Sequence, residues 1–174
     1  ITLAQSLSVH GINCSFLCRD YDGQMIGYIE SSGFSAYRLN FGRNGEQAPN
    51  HVANKVSCYS TQLRDAGNCI EIVKKLDIGV VLVDHYSLDI NWEKEVKPYV
   101  KKLIVLDDLA NRSHDCDLLI DQNLGRKFSD YDGLLSQGCK RLIGPKYALV
   151  RSEFNRMRIS SLSRKDRNEI RHIL

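Results

Sequence analysis

The sequence lacks several features that would assign it to a class at once. No apolar run in its 174 residues approaches the roughly 18 residues that a membrane-spanning helix needs, and no secretory signal is visible. Its six cysteines form no Cys-x-x-Cys pair and have no histidine nearby at zinc-finger spacing. We therefore expect reduced thiols, packed as small hydrophobic side chains, in a cytoplasmic protein that does not bind a membrane.

Phosphate-binding motifs are missing as well. There is no Gly-x-x-x-x-Gly-Lys-Ser/Thr loop and no Gly-x-Gly-x-x-Gly after a strand. If the ligand is a nucleotide, its phosphates are therefore not held by a glycine loop of these residues. An initiating methionine is also absent, and the first residues read as the middle of a helix. We expect the true start of the protein to lie upstream of Ile1.

The charge is nearly balanced at +3, but it is placed unevenly. Seven basic and three acidic residues lie between residues 151 and 171. A basic tail of this kind can bind nucleic acid. No aromatic side chain follows Phe154 to stack on bases, however. We therefore favour a solvated basic helix or linker at residues 156–174 and expect no nucleic-acid partner.

Helical and strand-like patterns alternate along residues 1–155, which we predict to form one domain. The predicted helices cover residues 1–10, 22–32, 61–76, 89–100 and 151–160. The predicted strands cover residues 12–18, 35–41, 78–83, 101–109, 116–123 and 140–147, with a loop at 42–51. This alternation predicts an α/β fold with an open, parallel, doubly wound, Rossmann-like sheet. The strand at 78–83 is apolar throughout, so we expect it to be buried on both faces.

Three of the predicted strands run directly into polar clusters. The clusters are Asp84-His85-Tyr86, Asp107-Asp108 and Asp121-Gln122-Asn123. Ligands of doubly wound sheets bind beyond the carboxyl ends of the strands. The sequence therefore predicts a polar rim at one edge of the sheet as the candidate site.

Each cluster also has a structural interpretation. His85 or Tyr86 could face a ligand with Asp84 in support, or Asp84 could cap the next helix while His85 fills a loop. Paired carboxylates such as Asp107 and Asp108 suit magnesium, or Asp108 could cap a turn. No nearby histidine or third acid completes a metal set, so we expect no metal.

The remaining candidates are residues suited to sugars or anions. The amides of Gln122 and Asn123 suit sugar hydroxyls, although such residues also build loops. Arg19 follows the first predicted strand and is placed to reach an anionic ligand. Both interpretations of these residues stay open at the level of sequence.

Four segments together resemble a known family, the bacterial UDP-2,4-diacetamido-2,4,6-trideoxy-β-L-altropyranose hydrolases. They occur in the order that the family has, and the likeness is looser before residue 60. The segments are VVLVDHYSLDINWE (80–93), KKLIVLDDLANRSHDCDLLIDQN (101–123), YDGLL (131–135) and GPKYALVRSEF (144–154).

The resemblance implies a nucleotide-sugar hydrolase of the GT-B-like type, with its site between two Rossmann-like halves. Such enzymes release UDP by attack of water at the anomeric carbon, without a metal or cofactor, and supply a sugar for pseudaminic acid on flagellin and surface polysaccharides. The family's Gly-x-Gly-His loop would lie just before Ile1, and its uridine-binding half would begin near residues 171–174. The chain therefore resembles the amino-terminal half alone, without the catalytic histidine.

The resemblance also implies roles for individual residues. Tyr86 would face the active site as a supporting catalytic group. The chemistry of a phenol agrees, since it can donate to a phosphate oxygen or a sugar acetamido group. Asp84 and His85 would shape the sugar cleft. Two alternatives remain: a GT-B glycosyltransferase that acts on a UDP-sugar, and a non-catalytic sugar-binding module.

Overall fold

The structure is a computed structural model that describes residues 1–19, 25–39 and 55–163, without the side chains of residues 55–59 and 155. The helices are α1 (Thr2–Val9), α2 (Ile26–Ser31), α3 (Lys55–Leu76), α4 (Ile90–Val96) and α5 (Ser152–Leu162). The strands are β1 (Ser15–Arg19), β2 (Ser35–Leu39), β3 (Val80–Val83), β4 (Lys102–Leu106), β5 (Leu118–Asp121) and β6 (Lys140–Ile143). The predicted loop at 42–51 lies outside the described residues.

All strand pairs in the described part of the chain are parallel, as predicted. Strands β1 and β2 form one sheet, and a second sheet has the order β3-β4-β5-β6. The α/β class is therefore confirmed, and the parallel sheets agree with a Rossmann-like fold. The prediction of a single sheet differs from the structure, since β1 and β3 are not hydrogen-bonded neighbours within the described residues.

Strand β3 corrects one expectation from the sequence. Its segment was expected to be buried on both faces, but the side chains of Val80 and Leu82 are 53% and 38% exposed. In the described part of the chain, β3 pairs only with β4 and so forms an edge of its sheet. Its other face is better covered, and Val83 is buried.

Several element boundaries differ from the predicted ones for local reasons. Helix α3 begins at Lys55, earlier than expected. Pro98 lacks a backbone N–H, and the chain continues from α4 as a 3-10 turn at Lys97–Tyr99. Strand β6 ends at Ile143 because Gly144, at φ 102°, turns the chain before a second 3-10 turn at Pro145–Tyr147.

The core of the larger sheet joins its strands to α3 and α4. Leu103 and Leu119 are fully buried on neighbouring strands. They belong to one cluster with Val73 of α3 and with Trp92 and Val96 of α4. These apolar contacts hold the helices against the sheet and so fix the positions of the strand ends.

Asp65 of α3 is a buried carboxylate that ties three elements together. Its Oδ2 accepts a hydrogen bond from Arg19 Nε of β1 at 2.7 Å, and its Oδ1 accepts one from Trp92 Nε1 of α4 at 2.8 Å. A buried charge of this kind is tolerated because both of its oxygens have donors. The contact holds the carboxyl end of β1 against α3.

The chain divides into two compact units. One consists of Cys14–Ala148 and contains both sheets, and the other consists of Ile1–Asn13 with Leu149–Leu174. In the second unit, α5 exposes the side chains of Phe154, Met157 and Ile159. The predicted boundary near residue 155 and the basic tail remain predictions, and residues 164–174 lie outside the described part.

The described cysteines are free thiols. Cys69 and Cys116 are buried as small apolar groups, and burial raises the pKa of Cys69 to about 12. Cys116 Sγ lies 3.5 Å from Cys139 Sγ. None of the helices described is both long and apolar enough to cross a bilayer.

Two carboxylates near the amino-terminal ends of the strands predict a loss of stability in acid. Donation from Lys97 lowers the pKa of Asp115, and the Leu103 backbone N–H, which Asp117 accepts at 2.8 Å, lowers the pKa of Asp117. A lowered folded pKa stabilises the fold above the ordinary value of 3.8, and this contribution is lost as the pH falls through the folded pKa. Between pH 7 and pH 3, we expect the free energy of unfolding to fall less in Asp117→Asn than in the wild type, as measured by urea unfolding.

The control is Glu95→Gln, which changes an exposed carboxylate of α4. Its free energy of unfolding should depend on pH as that of the wild type does. If Asp117→Asn and the wild type lose the same stability between pH 7 and pH 3, the Asp117–Leu103 hydrogen bond does not carry the effect.

Candidate functional site

The carboxyl ends of β3, β4 and β5 lie at one edge of the larger sheet. The register pairs Val83 with Val105 and Leu106 with Ile120, so the three strands end at nearly the same level. All three polar clusters expected from the sequence follow these ends directly. The structure therefore brings the clusters to one polar rim.

A hydrogen bond between Tyr86 and Asp108 joins the first two clusters of the rim. The Tyr86 hydroxyl donates to Asp108 Oδ2 at 2.9 Å. This bond is the first cause, and the Asp108 charge the second, of a raised pKa for the Tyr86 phenol, because both favour its protonated form. Tyr86 is therefore protonated at neutral pH and, at 65% exposed, reaches solvent beside the rim.

The backbone of Asp108 joins the third cluster to the second. Its carbonyl oxygen accepts hydrogen bonds from Asn123 Nδ2 at 3.1 Å and from Arg126 Nη2 at 2.6 Å. Arg126 Nε also donates to Asp121 Oδ2 at 2.6 Å. Asp108 thus contacts the ends of both β3 and β5 while it follows β4.

Tyr131 lies buried beneath the rim between two carboxylates. Its hydroxyl oxygen is 2.9 Å from Asp107 Oδ2 and 2.8 Å from Asp121 Oδ2. Burial raises the pKa of the Tyr131 phenol, and the two carboxylates raise it further. The phenol therefore keeps its proton and separates two negative groups that would otherwise face each other.

Arginines neutralise the same two carboxylates. Arg112 Nη1 forms an ion pair with Asp107 Oδ1 at 2.9 Å, and Arg126 pairs with Asp121. Asp107 Oδ2 also accepts the backbone N–H of Ala110 at 2.9 Å. The turn-capping role that was considered for Asp108 therefore belongs to Asp107.

The alternative role for Asp84 as a helix cap is wrong. The cap of α4 is Asp89, whose Oδ1 accepts the backbone N–H of Asn91 at 2.9 Å. Asp84 is exposed at the end of β3. Its neighbour His85 is half-buried and accepts the backbone N–H of Ser87 through Nδ1 at 3.1 Å. Desolvation lowers the pKa of His85, and the nearby Arg19 charge adds to this effect.

Three more residues that the sequence proposes for ligand binding are Arg19, Asn123 and Gln122. Arg19 is paired with the buried Asp65, and the Asn123 amide is directed at the Asp108 backbone. Gln122 is exposed at the end of β5. An open depression next to the rim is lined by Asn123, Leu124, Gly125, Arg126 and Asp130.

The magnesium alternative has no ligand set in the described part of the chain. No group of three or more His, Cys, Asp or Glu side chains is arranged there to hold a metal ion. Asp107 and Asp108 accept hydrogen bonds from Tyr131 and Tyr86 respectively. Each tyrosine thereby occupies one oxygen, Oδ2, of its carboxylate.

Sequence reasoning missed the buried residues that support the rim. His114 Nδ1 lies 2.6 Å from Glu93 Oε1, and both side chains are 0% exposed. Neither they nor Tyr131, Arg112 and Arg126 stand out by spacing, because their partners lie on other elements. The signal that was available is a charged residue on an otherwise apolar helix face, as Glu93 is between Trp92 and Val96.

Fold and site together define an α/β protein with parallel sheets and a polar rim at the carboxyl ends of three strands. No family model matches the chain. The chain is 34% identical, over 85 residues, to a UDP-2,4-diacetamido-2,4,6-trideoxy-beta-L-altropyranose hydrolase from Campylobacter jejuni subsp. jejuni serotype O:2. That match covers 49% of this chain and 31% of the relative.

A second relative is an uncharacterized protein from Methanocaldococcus jannaschii, 22% identical over 180 residues. This match covers 100% of the chain and 31% of the relative. The chain therefore spans about a third of the length of the curated relatives that it matches. These findings show a distant and partial relationship to a UDP-sugar hydrolase.

Proposed function

We propose that the chain is the amino-terminal half of a nucleotide-sugar hydrolase that releases UDP from UDP-2,4-diacetamido-2,4,6-trideoxy-altrose. The observation that carries this proposal is the rim at which Tyr86, Asp108 and Asn123 are linked by hydrogen bonds. Parallel sheets bind ligands at such an edge. The partial similarity to a hydrolase of this substrate supports the choice of chemistry.

The proposed whole protein has a GT-B-like architecture, with a second Rossmann-like half that binds the uridine diphosphate. The relative from Methanocaldococcus jannaschii is long enough for such a half, since its match with the whole of this chain covers 31% of it. The catalytic histidine would come from a loop upstream of Ile1. The enzyme would act in the cytoplasm, in pseudaminic acid biosynthesis for flagellin and surface polysaccharides.

The proposed reaction needs no metal and no cofactor. The oxygen of a water molecule bonds to the anomeric carbon while the bond from that carbon to the diphosphate oxygen breaks. UDP leaves with that oxygen, and the attacking water loses a proton to a general base. In this chain Tyr86 would contact the sugar, and Arg19, Asp84, His85, Gln122 and Asn123 would shape its binding surface.

The proposal is tested by incubating the full-length protein with the UDP-sugar and analysing both products. Free UDP together with free sugar is the expected result. Sugar attached to an added acceptor would instead identify a glycosyltransferase. Saturable binding without any UDP release by a folded protein would identify a sugar-binding module and would overturn the hydrolase proposal.

Replacing Tyr86 with phenylalanine should lower kcat/KM of the full-length protein about tenfold, because one hydrogen bond to the bound sugar is lost. The free energy of unfolding should stay within about 1 kcal/mol of the wild type, as is usual for an exposed side chain. Steady-state UDP release and urea unfolding measure the two effects.

The matched control is Tyr99→Phe, which alters another half-exposed tyrosine that precedes β4 instead of following β3. Its kcat/KM should equal that of the wild type. A large loss of stability in Tyr86→Phe with normal turnover would show that Tyr86 has a structural role only.

A further inference from the structure

The hydroxyl of Tyr86 has a single proton, and the structure shows where that proton is directed. Tyr86 donates it to Asp108 Oδ2 at 2.9 Å. A phenol has one O–H donor and otherwise offers only oxygen lone pairs. While the bond to Asp108 is made, Tyr86 can therefore only accept hydrogen bonds from a ligand.

Asp108 is held in place as the acceptor of the Tyr86 proton. Its backbone carbonyl accepts from Asn123 and Arg126, which fixes the residue between the ends of β4 and β5. In the described part of the chain, Tyr86 is the one side chain that donates to its carboxylate, and the other oxygen, Oδ1, is buried without a hydrogen-bond partner. A carboxylate with one donor retains that donor strongly, because losing it leaves a poorly solvated charge.

The charges around Tyr86 act in the same direction. Asp84 at the end of β3 is a second negative group near the phenol, whereas the charge of Asp107 is compensated by Arg112. A phenol beside the carboxylates of Asp84 and Asp108 keeps its proton, and these two charges disfavour a negative diphosphate at the same place. A neutral donor, such as an amide N–H, meets no such repulsion.

We propose that Asp108 is a positioning residue that turns the Tyr86 hydroxyl proton away from the ligand, so that Tyr86 accepts a hydrogen bond from an acetamido N–H or a hydroxyl of the sugar. This inference rests on the proposed function and changes one detail expected from the chemistry of a phenol. Tyr86 does not donate to a phosphate oxygen. Its lone pairs suit a ligand group that donates, and the acetamido N–H of an N-acylated amino sugar is such a group.

The first experiment measures the pair in the 174-residue chain without any ligand. The ionisation of Tyr86 is followed by ultraviolet absorbance, with Tyr86→Phe subtracted to isolate its signal. In Asp108→Ala the pKa of Tyr86 should fall towards the ordinary value of 10.0. An unchanged Tyr86 pKa in this variant would overturn the proposal. This readout is independent of hydrolase activity, so it separates failure of the Tyr86–Asp108 pair from failure of the proposed function.

The second experiment is a double-mutant cycle on UDP release by the full-length protein with the diacetamido UDP-sugar. Asp108→Ala should lower kcat/KM about tenfold, mainly through KM. The reason is that a freely rotating Tyr86 hydroxyl can direct its proton, instead of a lone pair, at the ligand. In the Tyr86→Phe background the same change should cost less than about twofold, because Asp108 acts through Tyr86. A tenfold loss in both backgrounds would mean that Asp108 contacts the substrate itself and would overturn the proposal.

Asp108→Asn is the conservative variant for this cycle. Its amide oxygen still accepts from the Tyr86 hydroxyl, so kcat/KM should recover to within about threefold of the wild type. Equal losses in Asp108→Asn and Asp108→Ala would show that the negative charge matters and hydroxyl orientation does not. Urea unfolding of each variant verifies that the fold is retained.

Fluorination of Tyr86 distinguishes an acceptor from a donor. Site-specific 3-fluorotyrosine withdraws electron density from the hydroxyl, which makes it a weaker acceptor and a stronger donor. If Tyr86 accepts from the sugar, kcat/KM should fall about two- to threefold, the size of a weakened neutral hydrogen bond. A rise in kcat/KM would show that Tyr86 donates and would overturn the proposal.

Discussion

Replacing Glu93 with alanine should lower the free energy of unfolding by about 2–6 kcal/mol, since two groups lose their buried acceptor at about 1–3 kcal/mol each. Glu93 Oε1 contacts His114 Nδ1 at 2.6 Å, and Glu93 Oε2 accepts the Asp115 backbone N–H at 2.5 Å. Without the carboxylate, a fully buried imidazole and a backbone N–H lose their acceptor. Urea unfolding followed by circular dichroism measures the effect.

The matched control is Glu95→Ala, two residues along α4 and exposed. Alanine favours a helix at least as well as glutamate does, so this variant should stay within about 0.5 kcal/mol of the wild type. A second check is the double variant Glu93→Ala/His114→Ala. Its loss of unfolding free energy should be well below the sum of the two single losses. A Glu93→Ala protein as stable as Glu95→Ala would contradict the buried pair.

Replacing Tyr131 with phenylalanine should lower the free energy of unfolding by about 1.5–3 kcal/mol, the range for hydrogen bonds to charged groups. The substitution keeps the buried ring and removes only the hydroxyl that lies between Asp107 and Asp121. The two carboxylates would then face each other without that donor, although Arg112 and Arg126 still pair with them. The same unfolding measurement gives the magnitude.

Tyr147→Phe serves as the control, since Tyr147 is less buried and lies in the 3-10 turn after β6. It should change stability by no more than about 0.5 kcal/mol. Because Tyr131 supports the strand ends that carry Asp108 and Asn123, Tyr131→Phe should also weaken the UDP release that we propose for the full-length protein. Unchanged stability would mean that the arginines alone compensate the two charges.

The sequence was sufficient for the class of fold and for the position of the rim. Strands ending in Asp84, Asp107 and Asp121 could be recognised because an apolar run followed abruptly by acids is a local pattern. Parallel pairing follows from the alternation of strands with helices. What could not be recognised is the exposure of Val80 and Leu82, since an edge strand and a central strand can have the same apolar sequence.

The roles of individual rim residues depend on partners that are distant in sequence. Tyr86 and Asp108 are separated by 22 residues, and Glu93 and His114 by 21. No local spacing encodes such a contact, because it exists only once the strands are side by side. Two local contacts also differ from the alternatives that the sequence offered, since Asp89 caps α4 instead of Asp84 and Asp107 caps the turn instead of Asp108. Here the reason is different: several acids lie near each boundary, and the sequence does not fix the residue at which the helix or the turn begins.

The sequence by itself determined that parallel strands deliver acids and amides to one edge of the sheet. Only the tertiary structure decided which of those groups are engaged in holding the edge together and which one presents a lone pair to solvent. The physical reason is that a hydrogen bond commits a proton to one partner, and that commitment depends on distances of about 3 Å between residues of different strands. Asp108 holds the proton of Tyr86, so the chemistry that Tyr86 offers a ligand is set by a residue of the neighbouring strand.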